Sequence, residues 1–175
     1  MLKRIVLSCL MGCLFWLSTI PNAVALPINP TIASLFSFSG TRPSNLGLNN
    51  DRFADCPSTP NCVSSFSTDP THRIEPIQFS TEPDKAFSEL KQTIESLPRT
   101  KIIQASDQYI YAEFTSKIMG FVDDVEFYLD RAANEIQVRS ASRLGESDLG
   151  VNRQRIESIR TRSLTSVPAR QSLSQ

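Results

Sequence analysis

The sequence predicts an α+β fold: a two-layer sandwich in which an antiparallel, four- to five-stranded meander sheet carries two helices on one face. Three observations predict it. Phe87, Leu90, Ile94 and Leu97 recur at helical spacing. Four successive stretches between Thr100 and Arg143 alternate apolar and polar side chains. A second, weaker helical pattern follows Gly145.

The elements follow in order. Ile74 to Ser80 alternates enough for a short leading strand, which Pro76 restricts to an edge or a strand start. Thr81-Glu82-Pro83-Asp84 reads as a helix start, with Thr81 as the expected cap and proline in the first turn. Pro98 ends that helix. The strands are Thr100 to Ala105, Tyr109 to Ser116, Phe121 to Asp130 and Glu135 to Arg143. Ile110, Ala112 and Phe114 oppose Tyr109, Tyr111 and Glu113 across the second strand. Val125, Phe127 and Leu129 oppose Asp124, Glu126 and Tyr128 across the third. Pairing Phe127 with Val138 and Leu129 with Ile136 keeps the apolar face together and sets Glu126 opposite Arg139. The loop then falls at Arg131-Ala132-Ala133-Asn134. One apolar face implies a sheet covered on one side. In the last helix, Ser147 or Asp148 is the expected cap, and Leu149, Ile156 and Ile159 form the apolar stripe.

The ends read differently. Residues 1–25 have the anatomy of a secretory signal: Lys3 and Arg4, an apolar run from Ile5 to Ile20, Pro21, then Ala23-Val24-Ala25. The run falls short of the roughly 20 residues a bilayer span needs. Leu10-Met11-Gly12-Cys13 resembles a lipobox, but the strongest apolar stretch, Leu14 to Leu17, follows that cysteine, where a lipoprotein turns polar. Residues 26–55 read as an extended arm, residues 56–163 as one α+β domain, and residues 164–175 as a flexible tail. Within the arm, Ile32, Leu35, Phe36 and Phe38 are expected to dock on the domain; a partner or membrane contact is the alternative.

Charge excludes one class of function. Eighteen basic and 18 acidic residues balance, so no sequence-independent grip on nucleic acid is expected. Arg153, Arg155, Arg160, Arg162 and Arg170 make the C-terminal segment locally basic, as a solvated helix face and tail.

Beyond the leader, only Cys56 and Cys62 remain of the four cysteines. In an exported chain an even pair at short spacing reads first as a disulfide. His72 is the one histidine, so a metal centre lacks ligands and no cofactor is expected. A redox role has no C-x-x-C spacing behind it. No nucleophile motif, phosphate loop or H-E-x-x-H occurs, and Ser64 or Ser65 with His72 is a weak basis for a hydrolase. No catalytic residue is assigned.

The densest polar chemistry lies on the sheet. Tyr111, Glu113, Asp124, Glu126, Arg139 and Arg143 share the face opposite the core stripe. They read either as a solvated ion-pair ladder or as a polar binding face with Tyr109, Tyr111 and Tyr128 as ring platforms. Asp123 falls on the apolar face, where a carboxylate needs a partner. Arg153 or Arg155 is expected to supply it, in a structural clamp that also includes Asp148 and Asn152. On this reading Asp123→Ala destabilises more than Asp124→Ala.

Three stretches, "RPSNLGLNNDRFADCPSTPNCVSS", "GFVDDVEFYLD" and "IQVRSASRLGESDLGVNRQRI", resemble the family catalogued as domain of unknown function 1499. The resemblance runs from about Arg42 to Ile159, and its three motifs stand in the right order. It implies a bacterial or plastid protein. It marks the C-P-x-x-P-N-C pair, the Asp-Asp-Val-Glu strand and R-S-x-S-R…S-D-x-G-x-N-R as hallmarks. It implies no activity. The expected function is an exported, non-enzymatic binding or accessory module with a small-molecule or protein partner, in the periplasm or the thylakoid lumen. The alternatives are an enzyme using the Asp/Glu/Arg cluster between Asp123 and Arg155, and a membrane-associated structural factor.

Overall fold

The computed structural model describes residues 38–165. The expected signal segment, the arm before Phe38 and the tail after Thr165 lie outside the described residues. Eight elements follow one another: β1 (Cys62–Ser64), β2 (Ile77–Gln78), α1 (Pro83–Ser96), β3 (Thr100–Ala105), β4 (Tyr109–Thr115), β5 (Val122–Asp130), β6 (Glu135–Ser142) and α2 (Val151–Thr165). The sheet runs β1-β6-β5-β4-β3, with β2 also pairing β6. Every pairing is antiparallel. Phe127 stands opposite Val138, Leu129 opposite Ile136 and Glu126 opposite Arg139, the register that the alternation predicts.

Both helices pack on one face. Phe87, Leu90 and Ile94 of α1 and Ile156 and Ile159 of α2 close over Ile110, Val125, Phe127, Leu129, Ile136 and Val138. These side chains form one apolar core because period 3.6 and period 2 place them all toward the same interface.

The sheet is an α+β sandwich, but the expectation that it is covered on one side only is corrected. Residues 38–55 run across the other face. Phe53 packs with buried Tyr109 and Tyr111, joined by Leu46, Leu48, Phe66, Ile103 and Tyr128. Three phenol rings give that face enough apolar area to hold a strap, which a purely charged face would not.

Local expectations also change. Thr81 is not the cap of α1: Glu82 holds that position with no side-chain capping bond, and Pro83 starts the helix. The leading strand shrinks to Ile77–Gln78, and the three-residue β1 lies upstream of it. Leu149 leaves the apolar stripe of α2: it is 89% exposed with φ of 54°. Asp148 lies three residues before α2, but its carboxylate does cap the entry, accepting the Gly150 N–H at 2.9 Å and the Asn152 N–H of the first turn at 2.8 Å. That tight turn throws Leu149 outward and turns Asn152 inward.

Candidate functional site

The polar face proposed from the sequence is not open. Glu126 is fully buried, Asp124 nearly so, and Arg139 and Tyr111 are buried. The arm is their roof. Glu126 Oε1 accepts the Gly47 N–H at 2.7 Å and the Tyr109 hydroxyl at 2.8 Å, and Oε2 accepts Arg139 Nη1 at 3.2 Å. Asp124 accepts Arg143 through Nε and Nη2 at 2.9 and 2.7 Å, and the Tyr111 hydroxyl at 2.5 Å. Arg143 also donates to Glu113, which accepts Arg42 of the arm at 2.6 Å. The Arg42 guanidinium stands 5.6 Å from the Tyr111 ring centroid. The correction has a physical cause: alternation tells which face a residue takes, and cannot tell what a segment 80 positions away lays over it.

Electrostatics in this network point away from proton transfer at neutral pH. Burial, with Glu126 alongside, drives the Tyr109 phenol far above its usual range. Burial and the bond to Asp124 do the same to Tyr111. Burial pushes the Glu113 carboxyl up, but bonds from Arg143 and Arg42 outweigh it and hold it below the usual range. The bond to Asp124 raises Arg143 further. Two neutral phenols, the Glu113 carboxylate and a charged guanidinium make a locked set of donors and acceptors.

A second network lies behind the first, on the helix face. Asp123 is paired with Arg155. Arg155 also donates to Ser140 Oγ at 3.0 Å and Asn152 Oδ1 at 2.6 Å, and lies over the Phe114 ring. Asn152 is fully buried; its Nδ2 lies within bonding distance of the Asn61 carbonyl, Ser142 Oγ and Asp148 Oδ2. Ser140 donates to Asn152 Oδ1 at 2.5 Å. Arg153 takes no part in the Asp123 pair: it donates to the Arg73 and Thr71 carbonyls at 2.7 and 3.0 Å.

The cysteines are bonded, with Cα atoms 5.6 Å apart. Asn61 between them donates to the Gly145 carbonyl at 2.6 Å, and its own carbonyl accepts the Ser142 N–H at 3.0 Å. The disulfide loop is thereby tied to the end of β6. His72 is buried, with Nδ1 2.9 Å from the Cys62 carbonyl. A carbonyl only accepts, so that nitrogen carries the proton. Sequence reasoning missed Asn61 and Gly47. Asn61 had a signal, its place between the two cysteines.

The three stretches quoted above therefore meet in space. Asp123, Asp124 and Glu126 of β5 find Arg155, Arg143 and Arg139; Asp148 and Asn152 join α2 to β6 and the disulfide loop. The family model described as "Protein of unknown function (DUF1499)" matches residues 52–162. The chain belongs to the DUF1499 family. No curated protein matches it. In this DUF1499 chain the motif residues bond to one another on both faces of β5 and β6.

One cleft remains open beside them. About 480 Å³ in volume, it lies between the arm, the disulfide loop and the turn after β1, and is lined by Arg52, Asp55, Cys56, Phe66, Asp69 and His72 among others. Arg52 stacks 4.6 Å from the Phe66 centroid and donates to the Phe66 carbonyl at 3.2 Å. The Thr71 N–H bonds Asp69 and holds its carboxyl below the usual range. The cleft thus offers a fixed cation, two exposed carboxyls and an aromatic edge. Among the described residues no cluster of three or more His, Cys, Asp or Glu could hold a metal ion.

Proposed function

We propose that this DUF1499 chain is an exported, non-enzymatic binding or accessory module whose cleft beside the disulfide takes a small polar molecule or a polar segment of a partner protein. One observation carries the reading. The titratable groups of the sheet are bonded to one another beneath the arm, whereas Arg52, Asp55 and Asp69 are exposed in a concave site. Chemistry on a substrate needs a reactive group that the substrate can touch. With the arm seated, the Asp124–Arg143 and Glu126–Arg139 pairs cannot be touched. Binding needs only shape and a few exposed polar groups, which the cleft has. Export is supported by the Cys56–Cys62 bridge, since disulfides persist in oxidising compartments. Periplasm and thylakoid lumen both meet that condition.

The test is chemical-shift mapping of the purified protein against a panel of amino acids, dipeptides and small dicarboxylates. The expected result is saturable perturbation at Arg52, Asp55, Phe66 and Asp69, lost in Arg52→Ala. Saturable perturbation centred on Tyr111 or Glu113 instead would mean that the arm opens and that the buried network is the site.

A further inference from the structure

The two ends of the sheet differ in kind. At one end lie the β4–β5 turn, the segment from β6 to α2, and the point where the arm enters the described fold. All seven large apolar side chains exposed among the described residues lie there: Phe38, Ile118, Met119, Phe121, Leu144, Leu149 and Val151. Five of them are in one neighbourhood. Phe38 and Phe121 have ring centroids 5.6 Å apart, and the Phe38 N–H donates to the Met119 carbonyl at 3.4 Å. Gly40, two residues on, lies against the Leu144 side chain. Ile118, at the tip of the same turn, is 89% exposed. The opposite end is polar. Its turns are Ser106-Asp107-Gln108 and Arg131-Ala132-Ala133-Asn134, with no exposed large apolar side chain. Scattered exposed leucines need no explanation, but seven gathered at one end do.

The chain itself indicates what covers this end. Beyond the leader, the short apolar stretch Ile32, Leu35 and Phe36 precedes Phe38, so the apolar part of the arm joins the fold inside this patch. A surface that takes up this stretch is therefore beside the turn. Exposed Lys117 in that turn and Arg99 beside Thr115 add positive charge at its rim, against exposed Glu146 in the β6–α2 segment and Glu95, which is paired with Lys91. An apolar tip with basic flanks is the chemistry of an interfacial membrane contact.

We propose that this end of the domain docks on an anionic lipid bilayer, with Phe38, Ile118, Met119 and Phe121 entering the interfacial zone and Lys117 and Arg99 facing headgroups. Among the described residues no helix is long and apolar enough to cross a membrane. The cleft beside the disulfide takes no part in it, and an Arg52→Ala chain binds vesicles as the unaltered chain does.

Hydrogen–deuterium exchange of the full chain, with and without phosphatidylglycerol–phosphatidylcholine vesicles, tests this. Residues 116–121 and 143–150 gain protection on vesicles, and residues 106–108 and 131–134 do not. Ile118→Asp with Met119→Asp removes that protection and lowers partitioning on the order of tenfold. Lys117→Glu weakens binding in low salt more than in high salt. Both sites are exposed, so thermal unfolding of either variant matches the parent. Vesicle binding without protection at 116–121 overturns the proposal, because the segment before Phe38 alone then holds the chain. So does failure to bind, or protection of this end that grows with protein concentration in the absence of lipid, which would assign the patch to a second copy.

Discussion

The backbone N–H of Gly47 donates to the carboxylate of Glu126 at 2.7 Å, across 79 positions of sequence. Gly47 has φ of 103°, a conformation that glycine adopts without penalty and that turns its N–H toward the sheet. The same carboxylate holds Arg139 and Tyr109, so one side chain fastens the arm to the domain and neutralises a buried guanidinium. Glu126→Ala removes all three partners and leaves Arg139 buried without its counter-ion. The expected loss is about 3–5 kcal/mol, the usual cost of breaking a buried pair from one side. Urea unfolding measures it, and amide exchange at Gly47 rises to the rate of an exposed loop.

The two aspartates of β5 exchange rank. The clamp seen in the sequence makes Asp123→Ala the worse change. In the structure Asp123 has one cation, Arg155, which keeps Ser140, Asn152 and the Phe114 ring when Asp123 is gone. Asp124 takes Arg143 through two nitrogens and Tyr111 besides, and its side chain is 1% exposed against 9% for Asp123. Asp124→Ala is therefore expected to lower the urea midpoint more than Asp123→Ala. The reverse order would show that the arm-side network contributes little.

Asn152 bonds to four elements of structure at once. Asn152→Ala leaves the Asn61 carbonyl, Ser140 and Ser142 short of a partner in a dry interface. At about 1–3 kcal/mol for each group so stranded, a loss of at least 2 kcal/mol is expected in chemical denaturation. Asn152→Asp keeps the acceptor but loses the Nδ2 donor and adds a charge beside Asp148, so it does not rescue.

Acid and alkali act on different residues. Glu113 and Asp148 have lowered values when folded, the first held by Arg143 and Arg42 against its burial, the second by the N–H groups of Asn152 and Gly150 against its burial. A lowered carboxyl contributes stability above its unfolded value, near 4, and that contribution is lost as pH falls through the folded value. The urea midpoint is thus expected to drop below about pH 4, and less steeply in Glu113→Gln. Tyr109 and Tyr111 are raised, so their contribution is present below the unfolded phenol value, near 10, and fades as pH rises past it. Tyr109→Phe with Tyr111→Phe flattens the alkaline limb.

The Cys56–Cys62 bridge closes a short loop, worth about 2 kcal/mol in the chain-entropy model. Reduction is expected to lower the midpoint by that amount and to loosen Asn61 from Gly145. Peptide mapping after thiol labelling without reductant should find both cysteines unmodified.

Much of the fold was legible because it rests on local periodicity. Period two in four stretches and period 3.6 in two placed the sheet, its β5–β6 register and both helices. The pairing of Glu126 with Arg139 followed from that register alone. Thr81, Leu149 and the short β1 were misplaced where a turn, rather than a pattern, decides. Of the site, the sequence told which residues share a face. It could not tell that the face is roofed.

What the sequence determined by itself was therefore the family, the two layers and the identity of the polar residues, since side-chain alternation and motif order are one-dimensional properties. What only the tertiary structure decided was their state. The arm returns from Ser39 to Asp55 over Tyr109, Tyr111 and Glu126, and burial there converts a supposed binding surface into an internal fastening. The same chain path leaves the disulfide cleft and the apolar end open. Burial and proximity depend on contacts between distant segments, which no local pattern of residues encodes.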